Sequence, residues 1–121
     1  MDTIKVMLHT PLDGFANELC DVIKLFFAVE GFLVNSAENA EAETILHTYE
    51  EKDGEAVCTF TFRGETETHT AILPQEKDYA NQNEKYLVAH KRISKRLCKV
   101  TLYELLKRVT GKLPTDFKRQ E

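Results

Sequence analysis

The sequence predicts an α+β fold, with an antiparallel sheet of about four strands and two helices on one face, in the order β-α-β-β-β-α. Apolar residues alternate along several short segments, which is typical of strands, and recur every three or four residues in two others, which is typical of helices. In addition, glycine and proline are absent from residues 81–110. This absence favours one long C-terminal helix.

The N-terminal segment predicts a strand followed by an amphipathic helix. Ile4, Val6 and Leu8 alternate with other residues, which gives a strand one apolar face. Thr10, followed by proline, is typical of a helix start. Helical spacing then places five apolar side chains on one face: Phe15, Leu19, Val22, Ile23 and Phe26. Gly31 is the predicted end of this helix.

Three strands are predicted after a polar loop. They occupy residues 44–51, 57–63 and 66–73. An Asp-Gly pair at 53–54 predicts a hairpin turn, because this pair readily adopts positive φ. The third strand is polar on both faces as far as Ile72, so we expect it at an edge of the sheet.

The long helix carries two apolar stripes. The first comprises Tyr86, Ala89, His90, Ile93, Leu97 and Val100. The second comprises Cys98, Leu102, Leu105, Leu106 and Val109, and it is rotated from the first by roughly 140° on a helical wheel. One sheet cannot easily bury both stripes of a straight helix. We therefore predict either a bend or a docking surface at the second stripe, and we expect the helix to end at Gly111.

The length of 121 residues corresponds to one domain. We assign residues 1–114 to a single α+β domain and residues 115–121 to a C-terminal tail. The sequence has no apolar run of about 18 residues and no basic start followed by an apolar segment. These features predict a cytoplasmic protein that has no membrane partner.

Charge is segregated along the chain. Residues 1–84 contain 5 Lys and Arg against 17 Asp and Glu, whereas residues 85–121 contain 11 against 3. Either the two parts attract each other within the fold or face water, or the basic part binds nucleic acid or an acidic neighbouring domain. Its candidate residues lie opposite the first apolar stripe: Lys91, Arg92, Lys95, Arg96 and Lys99. No aromatic or glycine motif of the known RNA-binding modules accompanies them.

Cysteine and histidine residues form no chemical motif along the sequence. Cys20, Cys58 and Cys98 are too far apart in sequence for a disulfide framework or for paired metal ligands. We interpret them as small core residues, and we predict no catalytic residue, metal or other cofactor in this chain. A Cys–His pair that meets only in space stays open as a third alternative. Its cleft would lie around His47, His69 or Cys58.

The basic C-terminal segment resembles a known family. Residues 91–114 read KRISKRLCKVTLYELLKRVTGKLP. This basic helix, with Leu-Tyr and Leu-Leu leading into Thr-Gly-Lys and a proline, resembles the region before the radical SAM barrel in HemZ-type oxygen-independent coproporphyrinogen III dehydrogenases. The order of the preceding elements also fits that family. After Pro114 the family continues with Trp-Gly, whereas this chain continues with Thr-Asp-Phe.

The resemblance implies a non-catalytic accessory domain from an enzyme family of porphyrin and heme biosynthesis. In that family the barrel holds a 4Fe-4S cluster and S-adenosylmethionine through a cysteine triplet that this sequence lacks. None of the family's catalytic residues can therefore be assigned here, and whether the chain is an enzyme stays open. The expected partner is a catalytic radical SAM domain or a second copy of the chain, docked at the second stripe. The alternative is a stand-alone nucleic-acid-binding module that uses the basic residues of 91–99.

Overall fold

A mixed sheet and two α-helices make up the fold of residues 2–111, the part of the chain that the computed structural model describes. The strands are β1 Thr3–His9, β2 Ala28–Val34, β3 Glu43–Lys52, β4 Glu55–Phe62 and β5 Glu65–Ile72. The helices are α1 Ala16–Lys24 and α2 Asn83–Thr110. The predicted α+β class and the long C-terminal helix are confirmed. The predicted tail, residues 115–121, lies outside the described residues.

The sheet has the strand order β2-β1-β3-β4-β5. β1 pairs in parallel with both β2 and β3, whereas β3, β4 and β5 form an antiparallel meander. The sheet is therefore mixed and five-stranded rather than antiparallel with about four strands. The parallel pairing of β1 with β2 arises because α1 connects them as a crossover helix.

The additional strand, β2, lies where the sequence pattern predicts the end of the first helix. That prediction is wrong, because α1 ends at Lys24 and Gly31 lies within β2, beside Lys5 of β1. The segment contains several aromatic and β-branched residues, including Phe27 and Val29, which favour strands. Pairing begins where the Ala28 N–H donates to the Asp2 carbonyl at 2.8 Å.

The core lies between one face of the sheet and both helices. Alternate residues of β4 are fully buried within it, and they pack in one cluster with side chains of α1 and α2. The other face of β4 and β5 carries exposed threonines, whose hydroxyls pair across the strands, as in Thr59 with Thr68 and Thr61 with Thr66. Both helices therefore cover the same face of the sheet, as the sequence predicts.

The second apolar stripe of α2 belongs to this core. Leu102, Leu105 and Leu106 are each 0% exposed, and Val109 packs against the same cluster while partly buried. The prediction of a docking surface at these residues is therefore wrong, because their side chains already pack inside this domain.

The N-terminal half of α2 has a different environment. No residue of the helix before Ser94 is buried, although the helix continues without interruption to its end. There the N–H of Gly111, at a φ of 69°, donates to the Lys107 carbonyl at 2.8 Å. This left-handed residue confirms the predicted end of the helix. The helix is therefore buried against the sheet and α1 from Ser94 onward, whereas its side chains before Ser94 are half-buried or exposed.

Candidate functional site

The structure brings together three side chains that lie far apart in sequence. His47 of β3, Cys58 of β4 and Cys98 of α2 have their imidazole nitrogen and sulfur atoms within 4.8 Å of one another. We call these residues the Cys-His cluster. His47 and Cys58 share the core face of the β3–β4 hairpin, where Cys58 lies opposite Tyr49 and His47 lies opposite Phe60. α2 packs over this face and supplies the third side chain.

Both nitrogen atoms of the His47 ring have polar contacts that hold the ring in place. Its Nε2 lies 3.4 Å from the Cys58 sulfur and 3.5 Å from the Cys98 sulfur. Its Nδ1 lies 2.8 Å from the Thr10 hydroxyl, and that oxygen accepts a hydrogen bond from the Leu12 N–H at 2.9 Å. This contact on Nδ1 orients the ring, so Nε2 is directed at both sulfur atoms.

The Cys-His cluster is closed to solvent. Cys58 and Cys98 are each 0% exposed and His47 is 2% exposed. The Phe60 ring covers one side of the imidazole, with the ring centroids 4.1 Å apart and the planes nearly parallel. A nucleophilic cysteine must reach its substrate, and in this arrangement a substrate has no contact with either sulfur.

The two clustered thiols differ in acidity. The pKa of Cys58 is lowered, first because Cys98 can donate a hydrogen bond to its sulfur and also because His47 lies beside it, although burial acts in the opposite direction. The pKa of Cys98 is raised, because its proton is held by Cys58 and because the thiol is buried. Of the two thiols, Cys58 is therefore the one that loses its proton more readily.

The other predicted candidates do not join the cluster. His69 faces the core side of β5, where its Nε2 contacts the Glu67 carboxylate at 2.7 Å. Cys20 is buried on α1 and belongs to no metal-ligating group among residues 2–111. Only two of the three cysteines therefore meet. The expectation from the sequence that the chain holds no iron–sulfur cluster stays a prediction.

The Asp-Gly turn predicts two of the three residues of this site to be neighbours. Asp53 has a φ of 55° and Gly54 a φ of 76°, as the predicted Asp-Gly turn requires. A two-residue turn at this position fixes the register of β3 on β4, and that register places His47 diagonally next to Cys58. The position of Cys98 depends on how α2 packs, and no sequence signal indicates it.

The predicted basic residues lie on the surface of α2. They are Lys91, Arg92, Lys95, Arg96 and Lys99, and all are exposed or half-buried. Within residues 2–111, only Lys95 of this set forms an ion pair, with Glu18 of α1 at 3.6 Å. Towards the end of the helix, Arg108 instead contacts Glu65 and Glu67 of β5 at 3.7 and 2.8 Å. Attraction within the fold therefore accounts for part of the charge segregation, while the middle of the helix presents unpaired cations.

Comparison with known proteins finds no match to the sequence, either among protein-family models or among curated proteins. Among the described residues, no helix combines the length and the apolar composition that crossing a membrane requires. The candidate site therefore rests on its geometry.

Proposed function

We propose that the chain is a non-catalytic accessory domain of the HemZ type, which binds a catalytic radical SAM domain in porphyrin biosynthesis. The observation that carries the proposal is the closure of the Cys-His cluster, in which two thiols and an imidazole meet away from solvent. A domain whose thiols and imidazole do not meet a substrate acts through its surface. The resemblance of residues 91–114 to the HemZ-type segment supplies the class of partner.

The surface that we assign to this partner is the N-terminal half of α2. Leu87 and Val88 are 62% and 56% exposed, and large apolar side chains grouped on a surface are typical of contact sites. Lys91 and Arg92 line a shallow depression together with Val88. An apolar centre with cations at its edge favours a partner surface that is apolar and acidic.

Binding in trans tests this proposal. A HemZ-type dehydrogenase whose own N-terminal domain has been deleted is mixed with the chain, and affinity is measured by calorimetry together with conversion of coproporphyrinogen. We expect a 1:1 complex and a gain in conversion. Leu87→Asp combined with Val88→Asp should weaken binding by at least about tenfold, which is about 1.4 kcal/mol.

Leu46→Asp is the matched control, because Leu46 is also exposed but lies on the open face of the sheet, on β3. Circular dichroism verifies that each variant is folded. Absence of binding by the folded chain, or equal weakening by the control, would contradict the proposal.

The unpaired cations of α2 support the alternative function, binding to nucleic acid. Several cations on one surface are what a phosphate backbone requires, and such binding weakens steeply as salt rises. Binding of single-stranded RNA or DNA that falls with salt and is lost in Arg92→Glu with Arg96→Glu would favour this alternative. Binding that is absent at low salt would leave the accessory role as the better interpretation.

A further inference from the structure

We propose that the Cys-His cluster is a Zn²⁺ site inside the domain. One imidazole and two thiols form a donor set that binds Zn²⁺ in proteins. The three ligands come from β3, β4 and α2, so the ion would connect the sheet to the long helix. This inference requires no partner and is independent of the proposed function.

The distances between the donor atoms fit tetrahedral zinc. With Zn–S bonds of about 2.3 Å and Zn–N bonds of about 2.0–2.1 Å, a tetrahedral ion holds each sulfur about 3.5 Å from the nitrogen. His47 Nε2 lies 3.4 Å from the Cys58 sulfur and 3.5 Å from the Cys98 sulfur. In the metal-free chain the same distances serve thiol–imidazole hydrogen bonds, so one ion can replace those bonds with little movement of the side chains.

The surroundings of His47 prepare it as a ligand. Metal-binding histidines almost always donate their second ring N–H to an oxygen, which fixes the ring and the tautomer. The Thr10 hydroxyl lies at this position, 2.8 Å from Nδ1. When this oxygen accepts the Nδ1 proton, the lone pair of Nε2 is directed between the two sulfur atoms. The Leu12 N–H, bonded to the same hydroxyl, holds Thr10 in place.

Three protein ligands with a free fourth position are typical of catalytic zinc, but the cluster is buried and a substrate cannot reach that position, so the ion would be structural. Within the described part of the chain, no further His, Cys, Asp or Glu joins the three ligands. Thr101 is fully buried beside the Cys58 sulfur, and its hydroxyl oxygen or a water molecule would complete the tetrahedron. Because the ligands are closed to solvent, the ion would enter as the chain folds, and its binding free energy would add to the stability of the fold.

Refolding of the full chain with metal tests the site. The reduced chain is unfolded in guanidinium and refolded with Zn²⁺, or with Co²⁺ as a spectroscopic probe, and unbound metal is removed. We expect one metal ion per chain, and with Co²⁺ both thiolate-to-metal absorption and the visible bands of a tetrahedral ion. Unfolding in the presence of Zn²⁺ should require more denaturant, because the ion binds the folded state.

Cysteine variants decide whether the cluster holds the ion. Cys58→Ser and Cys98→Ser should each lower the affinity for Zn²⁺ by more than the roughly 10–100-fold that loss of an outer-shell partner costs. Cys20→Ser is the matched control, since Cys20 is also buried but lies outside the cluster. If a serine variant does not fold, the alanine variant at the same position takes its place.

Two results would overturn the proposal. One is a wild-type chain that refolds, as judged by circular dichroism, yet retains no metal. The other is a folded Cys98 variant that binds Zn²⁺ as tightly as the Cys20→Ser control does.

Discussion

Replacing Leu102 and Leu106 of α2 by glutamate is expected to unfold the domain. Both side chains are fully buried in the cluster that joins the sheet to the two helices. Each substitution removes apolar contacts worth about 2–5 kcal/mol and places a carboxylate in a part of the core that water does not reach. Together these losses reach the whole stability of a typical domain, about 5–15 kcal/mol. Circular dichroism and thermal melting measure the outcome.

The matched control makes the same change on the exposed half of the helix. Leu87→Glu with Val88→Glu should leave the melt almost unchanged, because both side chains are mostly exposed and such surface changes cost within about 0.5 kcal/mol. A cooperative melt in the Leu102 and Leu106 double variant, with a loss below about 1 kcal/mol, would mean that this stripe is not core. That result would support the prediction from the sequence that this stripe is a docking surface.

Phe60→Ala is expected to lower the free energy of unfolding by about 3–5 kcal/mol. Phe60 is fully buried on β4, and its ring stacks on the imidazole of His47. Truncation leaves a cavity in the core and removes the surface that holds His47 against the two sulfur atoms. Denaturant unfolding measures the loss, provided that the slope against denaturant concentration is unchanged.

Val57→Ala serves as the comparison on the same strand, because Val57 is 37% exposed on the opposite face. It should cost less than about 1 kcal/mol. A loss at Phe60 as small as this would show that β4 presents the other face to the core, and the Cys-His cluster would not exist as described.

Local sequence signals predict the elements that have a clear strand, turn or helix pattern. Period-two alternation predicts β1 and β4, and the Asp-Gly pair predicts the hairpin that joins β3 to β4. The uninterrupted run up to Gly111 predicts α2 and its end. These patterns predict ten core residues: Ile4, Val6, Leu8, Phe15, Leu19, Phe26, Phe60, Phe62, Ile93 and Leu97. Nine of them are buried, and the tenth, Ile93, is partly buried.

Long-range packing decides the features that the sequence did not reveal. Apart from Glu30, the segment of β2 is apolar on both sides of Gly31, so its spacing does not separate a strand from the end of a helix. Its pairing with β1 depends on how α1 folds back over the sheet. Similarly, amphipathic spacing shows that α2 has apolar stripes but not which half of the helix the sheet covers, and the docking prediction failed for that reason.

The Cys-His cluster depends partly on a local sequence signal and partly on long-range packing. The hairpin register brings His47 next to Cys58, and this step follows from the turn. Cys98 joins them only because α2 crosses β4 at that point, 40 residues further along the chain. Chemistry assembled in this way is not visible as a motif, which is why the sequence predicts neither a metal nor a ligand set.

Thiol labelling of the folded, metal-free chain tests most directly whether the cluster is closed to substrates. With opening of the core costing about 5 kcal/mol or more, Cys58 and Cys98 should react with a small alkylating reagent at least about a thousandfold more slowly than in the unfolded chain. Mass spectrometry of the labelled peptides resolves each cysteine. Labelling of Cys58 in the folded chain within about tenfold of the unfolded rate would contradict the closed site, and a catalytic Cys–His pair would then replace the non-catalytic accessory domain as the better interpretation.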